Sequence, residues 1–128
     1  MERHRDDTAW QDLAGYVRAV RSGSRVEVSG TTSSAPDGTA LFPGDVHGQT
    51  RDALERSLAA LAALGGGVAD VVRTRVLLVP GSDWQAAARA HRELFGEHPP
   101  ANTTLYVAGL VGEGLLVEVE VSAEVTGG

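Results

Sequence analysis

The sequence predicts one α+β domain, in which a mixed sheet carries two helices on one face. Two stretches repeat apolar residues at helical spacing, and the stretches around them alternate apolar and polar residues as strands do. The predicted elements follow one another in the order β-β-α-β-α-β-β. A sheet with one apolar face buries that face against amphipathic helices, so both helices are expected on the same side.

The first half of the chain predicts a hairpin and a long helix. Residues 16–20 and 25–31 are expected to be strands joined by a turn, because Val26 and Val28 alternate with polar residues. Asp45 suits the start of a helix, and the glycines at 65–67 suit its end. Apolar residues between them recur at helical spacing and form one stripe.

The second half predicts a strand at 71–79, a second helix and two further strands at 102–108 and 115–125. In the last of these strands, valines alternate with glutamates, so one face is apolar and the other is acidic. The second helix is expected to bury a stripe made of Trp84, Ala87, Ala88, His91, Leu94 and Phe95.

The face of the sheet opposite the helices is predicted to be polar. If the last two strands pair as neighbours, Glu118 lies on the same side as Asn102, Thr104 and Tyr106. A face of this kind is either wet or covered by another subunit. The full set predicted on it is Arg25, Glu27, Ser29, Arg73, Arg75, Asn102, Thr104, Tyr106, Glu118 and Glu120.

Glu118 is the best candidate for acid/base chemistry. Burial by its neighbours across the sheet would shift its pKa toward a value useful for proton transfer. The alternative is a surface carboxylate that pairs with an arginine, and the residues alone favour that alternative.

The composition sets limits on domain organisation and location. The chain has 128 residues, of which 42% are hydrophobic and 22% charged, as expected for a single globular domain. We expect a flexible segment over residues 1–12, followed by one domain over 13–128. No apolar run approaches the roughly 20 residues that cross a membrane, and the charged N-terminus has no secretory signal. We therefore expect a cytoplasmic protein with no membrane partner.

The composition also excludes several kinds of chemistry. There is no cysteine and no lysine, so thiol and Schiff-base nucleophiles are excluded. The histidines lack the spacing of metal ligands, so we expect no metal and no cofactor. A net charge of −6 argues against nucleic acid as a partner.

Taken together and in order, these motifs resemble the RidA (YjgF) family of reactive-intermediate or imine deaminases. The resemblance extends from about residue 16 to residue 125. The residues that carry it are Tyr16 after Gly15, Val28-Ser29-Gly30, the runs 43–50, 70–76 and 84–95, Pro100-Ala101, and 117–120 with Ala123.

This resemblance implies a chorismate-mutase-like subunit that assembles as a homotrimer with an inner barrel of sheets. Its sites would lie in clefts between subunits, which would account for the polar sheet face. It also implies that Glu118 positions water, and that Tyr16, Ser29 and Gly30 line the cleft.

The sequence departs from the family pattern at positions that bind the substrate in the family. The family places an arginine that grips the substrate carboxylate where this chain has Asn102. Where the family has an asparagine on the second helix, this chain has Ala88. Where the family has a cysteine or a similar residue, two positions after the arginine, this chain has Thr104. Loss of a hydrogen bond to a charged group corresponds to roughly 10–100-fold weaker carboxylate binding. Arg18, Arg73 and Arg75 are the arginines whose access to the cleft the sequence leaves open.

The leading hypothesis is a RidA-like enzyme, hydrolase-, deaminase- or lyase-like, that acts on a small imine, enamine or carbonyl-type intermediate that need not bear a carboxylate, as in a specialised biosynthetic step. Glu118 would handle the proton or water, while Asn102, Thr104 and Tyr106 would donate hydrogen bonds. The alternative is a metabolite-binding protein without catalysis. A third reading, the endoribonuclease activity sometimes attached to the family, is disfavoured by the acidic balance.

Overall fold

The computed structural model of the protein describes residues 1–126 and shows one mixed sheet with two long helices on one face. The strands are β1 (Glu2–His4), β2 (Ala19–Ser22), β3 (Arg25–Thr31), β4 (Val71–Leu78), β5 (Ala101–Tyr106) and β6 (Val117–Glu124). The helices are α1 (Trp10–Ala14), α2 (Val46–Ala63) and α3 (Trp84–Phe95), and a 3-10 turn spans Val68–Asp70. No helix in this part of the chain is long and apolar enough to cross a membrane.

The sheet has the strand order β1-β2-β3-β6-β4-β5. β4 and β5 run parallel, and the other neighbouring pairs are antiparallel. The core lies between the sheet and helices α2 and α3, where Leu54, Leu61 and Phe95 are almost fully buried against the valines of β6. The predicted α+β class, with a mixed sheet and two helices on one face, is confirmed.

Helix α2 begins and ends where the sequence predicts. The carboxylate of Asp45 accepts a hydrogen bond from the backbone N–H of Gly48 at 2.9 Å, which satisfies one of the free amides of the first turn. Gly65, at φ +93°, follows the last turn in the left-handed region that glycine adopts without strain.

The buried stripe of α3 is only partly as predicted. Ala87 and Phe95 are buried, but Trp84 is 51% exposed and Ala88 is also exposed. The side chain of Asp83 caps the helix and accepts from the amides of Gln85 and Ala86. Trp84 is therefore the first helical residue, at the end of the helix, where the sheet does not reach across to cover it.

The predicted pairing of the last two strands is wrong, because β4 lies between β5 and β6. β5 is an edge strand with a single neighbour, and Leu105 pairs with Leu77 on the face opposite the helices, where it is 39% exposed. β6 instead lies in the middle of the sheet between β3 and β4, and its residues alternate between buried and half-buried as the sequence predicts.

The N-terminal twelve residues contain two elements that the sequence did not predict. Glu2–His4 forms strand β1, which pairs with β2, and Trp10 opens helix α1. The sequence pattern misses both because their partners, such as Arg18, lie outside the segment. That this segment is flexible stays a prediction.

A buried amide holds the loop between β5 and β6 against helix α2. The side chain of Gln49 is fully buried; it donates to the carbonyls of Phe42 and Gly114 and accepts from the amide of Leu116. Three backbone groups that β-sheet pairing leaves free are thereby satisfied. This loop also brings Val111 to the cavity described next.

Candidate active site

Glu118 lies in a cavity of about 300 Å³ between the N-terminal segment and the middle of the sheet. One part of its wall is polar and contains Arg18, Thr31 and Arg56 beside Glu118. The apolar part of the lining is formed by Trp10, Leu13, Ala14 and Val111, of which Leu13 and Val111 are 82% exposed. The cavity therefore offers a carboxyl group to a small molecule that has both polar and apolar parts.

A bulge in β3 makes room for the Glu118 carboxyl group. The pairing of β3 with β6 shifts register between Val28 and Thr31, and Gly30 lies within this irregularity. A Cβ at position 30 would lie 2.6 Å from Glu118 Oε1, closer than nonbonded atoms approach. Glycine is thus the residue that lets this strand pass so close to the carboxyl group.

The environment raises the pKa of Glu118 above its ordinary value of 4.5. Burial is the largest cause and the negative charge of Glu120 adds to it, while the positive charge of Arg18 opposes both. Burial disfavours the charged carboxylate because protein solvates it less well than water does. A carboxyl group shifted in this direction can donate as well as accept a proton nearer neutral pH.

Arg18, only 3% exposed, connects the N-terminal segment to the bulge. Its Nε donates to Asp6 Oδ2 at 2.9 Å, and Nη2 donates to Thr8 Oγ1 at 3.1 Å. Nη1 donates to the carbonyl of Gly30 at 2.7 Å and to Thr31 Oγ1 at 3.2 Å. Four of the five guanidinium N–H groups are thus used within the chain, so Arg18 shapes the cavity wall more than it offers donors to a ligand.

Asp6 provides the counter-ion for Arg18, and its own pKa shifts downward. Burial pushes that pKa up, but hydrogen bonds from the amide and hydroxyl of Thr8 and the charge of Arg18 outweigh burial. The buried amide of Gln11 donates to the Thr8 carbonyl at 3.1 Å and so ties helix α1 to the same network. Sequence reasoning missed this network; the only signal available was an arginine in an otherwise apolar strand.

Of the predicted cleft residues, the structure brings Tyr16 and Gly30 together with Glu118 in the cavity. The Tyr16 ring packs against the guanidinium of Arg18, whose Cζ lies 5.7 Å from the ring centroid. Ser29 does not line this cavity: its hydroxyl donates to the carbonyl of Val17 at 2.6 Å, and Ser29 lines two other depressions of the surface, one of them beside Arg73, Arg75 and Glu120.

Asn102, Thr104 and Tyr106 do not meet Glu118 within one chain, and the expectation that they share its face is wrong. The parallel register aligns them with Thr74, Val76 and Leu78, whose side chains face the helices. The polar residues of β5 therefore lie on the helix side of the sheet, whereas the prediction put them on the opposite side because it paired β5 with the last strand. Their hydrogen bonds run to Thr74, to Asn102 and to the carbonyl of Ser82, respectively.

The remaining predicted polar residues do lie on the face opposite the helices, where they pair with one another. Arg75 contacts Glu120 at 3.2 Å, and Arg73 donates to Thr103 at 2.8 Å. Neither arginine lines the cavity of Glu118. Within residues 1–126, no group of three or more His, Asp or Glu residues is arranged to hold a metal ion.

The fold and this site define a member of a known family. The sequence profile of the family described as Endoribonuclease L-PSP matches residues 7–125. The chain therefore belongs to this family, which is the RidA/YjgF family, and the resemblance drawn from the sequence is confirmed.

Individual relatives cover nearly the whole chain. An uncharacterized protein from Streptomyces coelicolor is 40% identical over 96% of this chain and 91% of its own length. The crystal structure of a YjgF/YER057c/UK114 family member from Mycobacterium tuberculosis matches with a TM-score of 0.86 and 38% identity, over 97% of this chain and 98% of that one. The 2-iminobutanoate/2-iminopropanoate deaminase of Rattus norvegicus is 30% identical over 87% of this chain and 80% of its own length.

The close approach of Gly30 to Glu118 predicts the effect of a Gly30→Ala substitution. The added Cβ displaces the end of a flexible side chain, so the free energy of unfolding should change by no more than about 1 kcal/mol. The carboxyl group should move toward solvent, and its pKa should fall toward 4.5. An NMR titration of the labelled glutamate carboxyl carbons measures this pKa. The matched control is Gly109→Ala, where a Cβ meets nothing within 4 Å; an unchanged Glu118 pKa in Gly30→Ala would contradict the account.

The opposite pKa shifts of Glu118 and Asp6 predict opposite effects on stability. The folded-state pKa of Glu118 is raised, so its contribution is complete below pH 4.5 and is lost as pH rises through the raised value. Glu118→Gln should therefore gain stability relative to wild type as pH rises above 4.5. The pKa of Asp6 is lowered, so Asp6 stabilises the fold above pH 3.8 and loses that contribution as pH falls through the lowered value.

Asp6→Asn should accordingly lose about 2–3 kcal/mol near pH 7, because a buried guanidinium loses its charged partner. The loss should shrink as the wild type is titrated below pH 3.8. Urea unfolding of both variants across this pH range measures the two differences. Parallel pH profiles for wild type and both variants would show that neither carboxyl group is perturbed as described.

Proposed function

We propose that this protein is a RidA-like enzyme that hydrolyses a small imine, enamine or related carbonyl-type intermediate, with Glu118 as its acid/base. The observation that carries the proposal is the Glu118 carboxyl group, which burial perturbs, inside a cavity large enough for a small molecule. The rat relative, named as an imine deaminase, supports this reaction class. A cytoplasmic location and a specialised biosynthetic role belong to the same proposal.

The proposed reaction adds water across a C=N bond. The imine enters protonated on nitrogen, as an iminium. As the water oxygen bonds to the imine carbon, Glu118 accepts a water proton and the C=N electron pair moves to nitrogen, which leaves a neutral amine. Glu118 then gives its proton to that nitrogen, the C–N bond breaks and ammonia leaves, and the remaining hydroxyl returns its proton to Glu118 as it becomes the carbonyl. An enamine enters the same route after it is protonated on carbon. The raised pKa suits a group that must carry the proton in both directions.

We further propose that the site is completed by a second subunit of a homotrimer. Asn102, Thr104 and Tyr106 lie on an exposed edge strand and cannot reach Glu118 of their own chain. Contact across a subunit interface would place these donors, together with Ser29, near the cavity of a neighbouring chain. The polar face, with Arg25, Glu27 and Ser122 in mutual contact, would then line the inside of the assembly.

The alternative of a metabolite-binding protein without catalysis rests on Asn102. This residue replaces the family arginine, and its amide already donates to Thr74 at 3.0 Å. Cleavage of RNA fits the molecule less well, because a net charge of −6 repels a phosphate backbone.

Glu118→Gln should lower imine hydrolysis by roughly 10²–10⁴-fold, the usual contribution of a general acid/base. 2-Aminoacrylate can be generated in place by a pyridoxal-phosphate dehydratase, and keto-acid release can be timed with and without the protein. Glu124→Gln is the control, since it lies on the same face of the same strand and is exposed. Full turnover by Glu118→Gln would rule out its proposed role. Binding without turnover by wild type would favour the metabolite-binding alternative.

The trimer should have a mass of about 40 kDa, three times the chain mass of 13.3 kDa. Light scattering coupled to size exclusion measures it directly. A monomer near 13 kDa at micromolar concentration would contradict the shared site. Mixing Glu118→Gln and Asn102→Ala chains, each impaired alone, should restore part of the activity if the two residues meet across an interface.

A further inference from the structure

The cavity that holds Glu118 also contains a second arginine, which the sequence did not single out. Arg56 lies on helix α2, and its side chain is 28% exposed where it lines the cavity. Its Nε donates to Asp52 Oδ2 at 2.9 Å. Within residues 1–126 this is its one hydrogen bond, so the terminal Nη1 and Nη2 groups have no protein acceptor there.

The side chain of Arg56 is held in place by a hydrogen bond to Asp52. Asp52 stands one helical turn earlier, and its Oδ2 also accepts a hydrogen bond from the hydroxyl of Ser33 at 2.6 Å. Ser33 is fully buried, so this carboxylate is fixed to the loop after β3. Since Nε is occupied, the two Nη groups form a planar fork that matches the two oxygens of a carboxylate.

The other arginines considered for anion binding are occupied or lie elsewhere. Arg18 spends four of its five N–H groups on protein acceptors. Arg73 and Arg75 pair with Thr103 and Glu120 and do not line the cavity. Asn102, in the position of the family arginine, carries no charge. Within residues 1–126, Arg56 therefore keeps both of its terminal amino groups free of protein acceptors, whereas Arg18 keeps a single N–H.

The charges of the cavity also leave room for an anionic ligand. The carboxyl and guanidinium groups of the lining are Asp6, Glu118, Arg18 and Arg56. Each arginine has a carboxylate partner at 2.9 Å, Asp6 for Arg18 and Asp52 for Arg56, and burial raises the pKa of Glu118, which disfavours its negative charge. The apolar wall of Trp10 and Ala14 lies in the same cavity and suits a short hydrocarbon chain.

We propose that Arg56 is the specificity-determining residue of this site and binds the carboxylate of a small substrate with a short apolar side chain. This assignment rests on the proposed function for the location of the site, but it concerns binding and is tested by binding. Arg56 acts on the substrate anion from within the same chain that supplies Glu118, in place of the arginine that the chain lacks at position 102.

The test compares an acid with an uncharged probe of the same size. The affinities of 2-oxobutanoate and of its methyl ester are measured by titration calorimetry or by NMR shifts, with the intact assembly. Wild type should prefer the acid. In Arg56→Gln, affinity for the acid should fall roughly 10–100-fold, while affinity for the ester should stay unchanged, because a hydrogen-bonded charge is lost. Arg56→Lys should recover part of the preference, since it keeps the charge without the fork.

Arg51→Gln is the matched control, because Arg51 lies one turn earlier on the exposed side of α2 and pairs with Glu55 and Glu93. Equal acid affinity in wild type and Arg56→Gln would overturn the proposal, as would an Arg51→Gln loss of the same size. A purely structural role of Arg56 would weaken both probes together, which also overturns it. The test measures binding by wild type and by variants of Arg56 and Arg51, so absence of turnover on 2-aminoacrylate leaves it intact.

Discussion

The buried guanidinium of Arg18 is the interaction on which the site depends. It lies on the short connection into β2, yet its four hydrogen bonds reach backward to Asp6 and Thr8 and across to Gly30 and Thr31. Removing a guanidinium from water is costly, and that cost is met only when fixed acceptors surround the group. The acceptors come from the N-terminal segment and from the bulge of β3, so the same contacts close the cavity and orient the bulge against Glu118. They add to the pairing of β1 with β2, which also holds the N-terminal segment to the sheet.

The sheet explains why the chain presents so much polar surface on one side. Its apolar face is covered by α2 and α3, and the core residues of β6 lie beneath them. The opposite face carries ion pairs such as Arg75 with Glu120, which contribute little stability while they remain exposed to water. These ion pairs would contribute more stability if a second sheet shielded them from water. The proposed assembly would provide that cover. The exposed edge of β5 has the same need, because on that side no strand pairs with it within residues 1–126 and Leu105 is 39% exposed.

The departure at Asn102 changes how charge is distributed around the proposed site. Asn102 belongs to a neutral network in which Thr74 also contacts His91 at 2.8 Å, and burial lowers the pKa of that histidine. An arginine that lines the cavity is found instead on α2, at Arg56. A family can keep its acid/base on the sheet and move its anion-binding group to a helix, because the cavity is small enough for both to reach one ligand. This would preserve the reaction while changing which molecules fit.

The sequence by itself determined the elements and the faces they bury, because hydrophobic periodicity is a local property of the chain. It predicted α2 and its Asp45 cap, the hairpin of β2 and β3, and the alternation along β6. The sequence also identified the family, because the order and spacing of the motifs can be compared without knowing which residues are in contact. Only the tertiary structure decided that β4 separates β5 from β6, which turned Asn102, Thr104 and Tyr106 away from Glu118. It alone brought Asp6, Arg18 and Arg56 to the cavity, because contacts between distant segments leave no periodic trace in a single sequence.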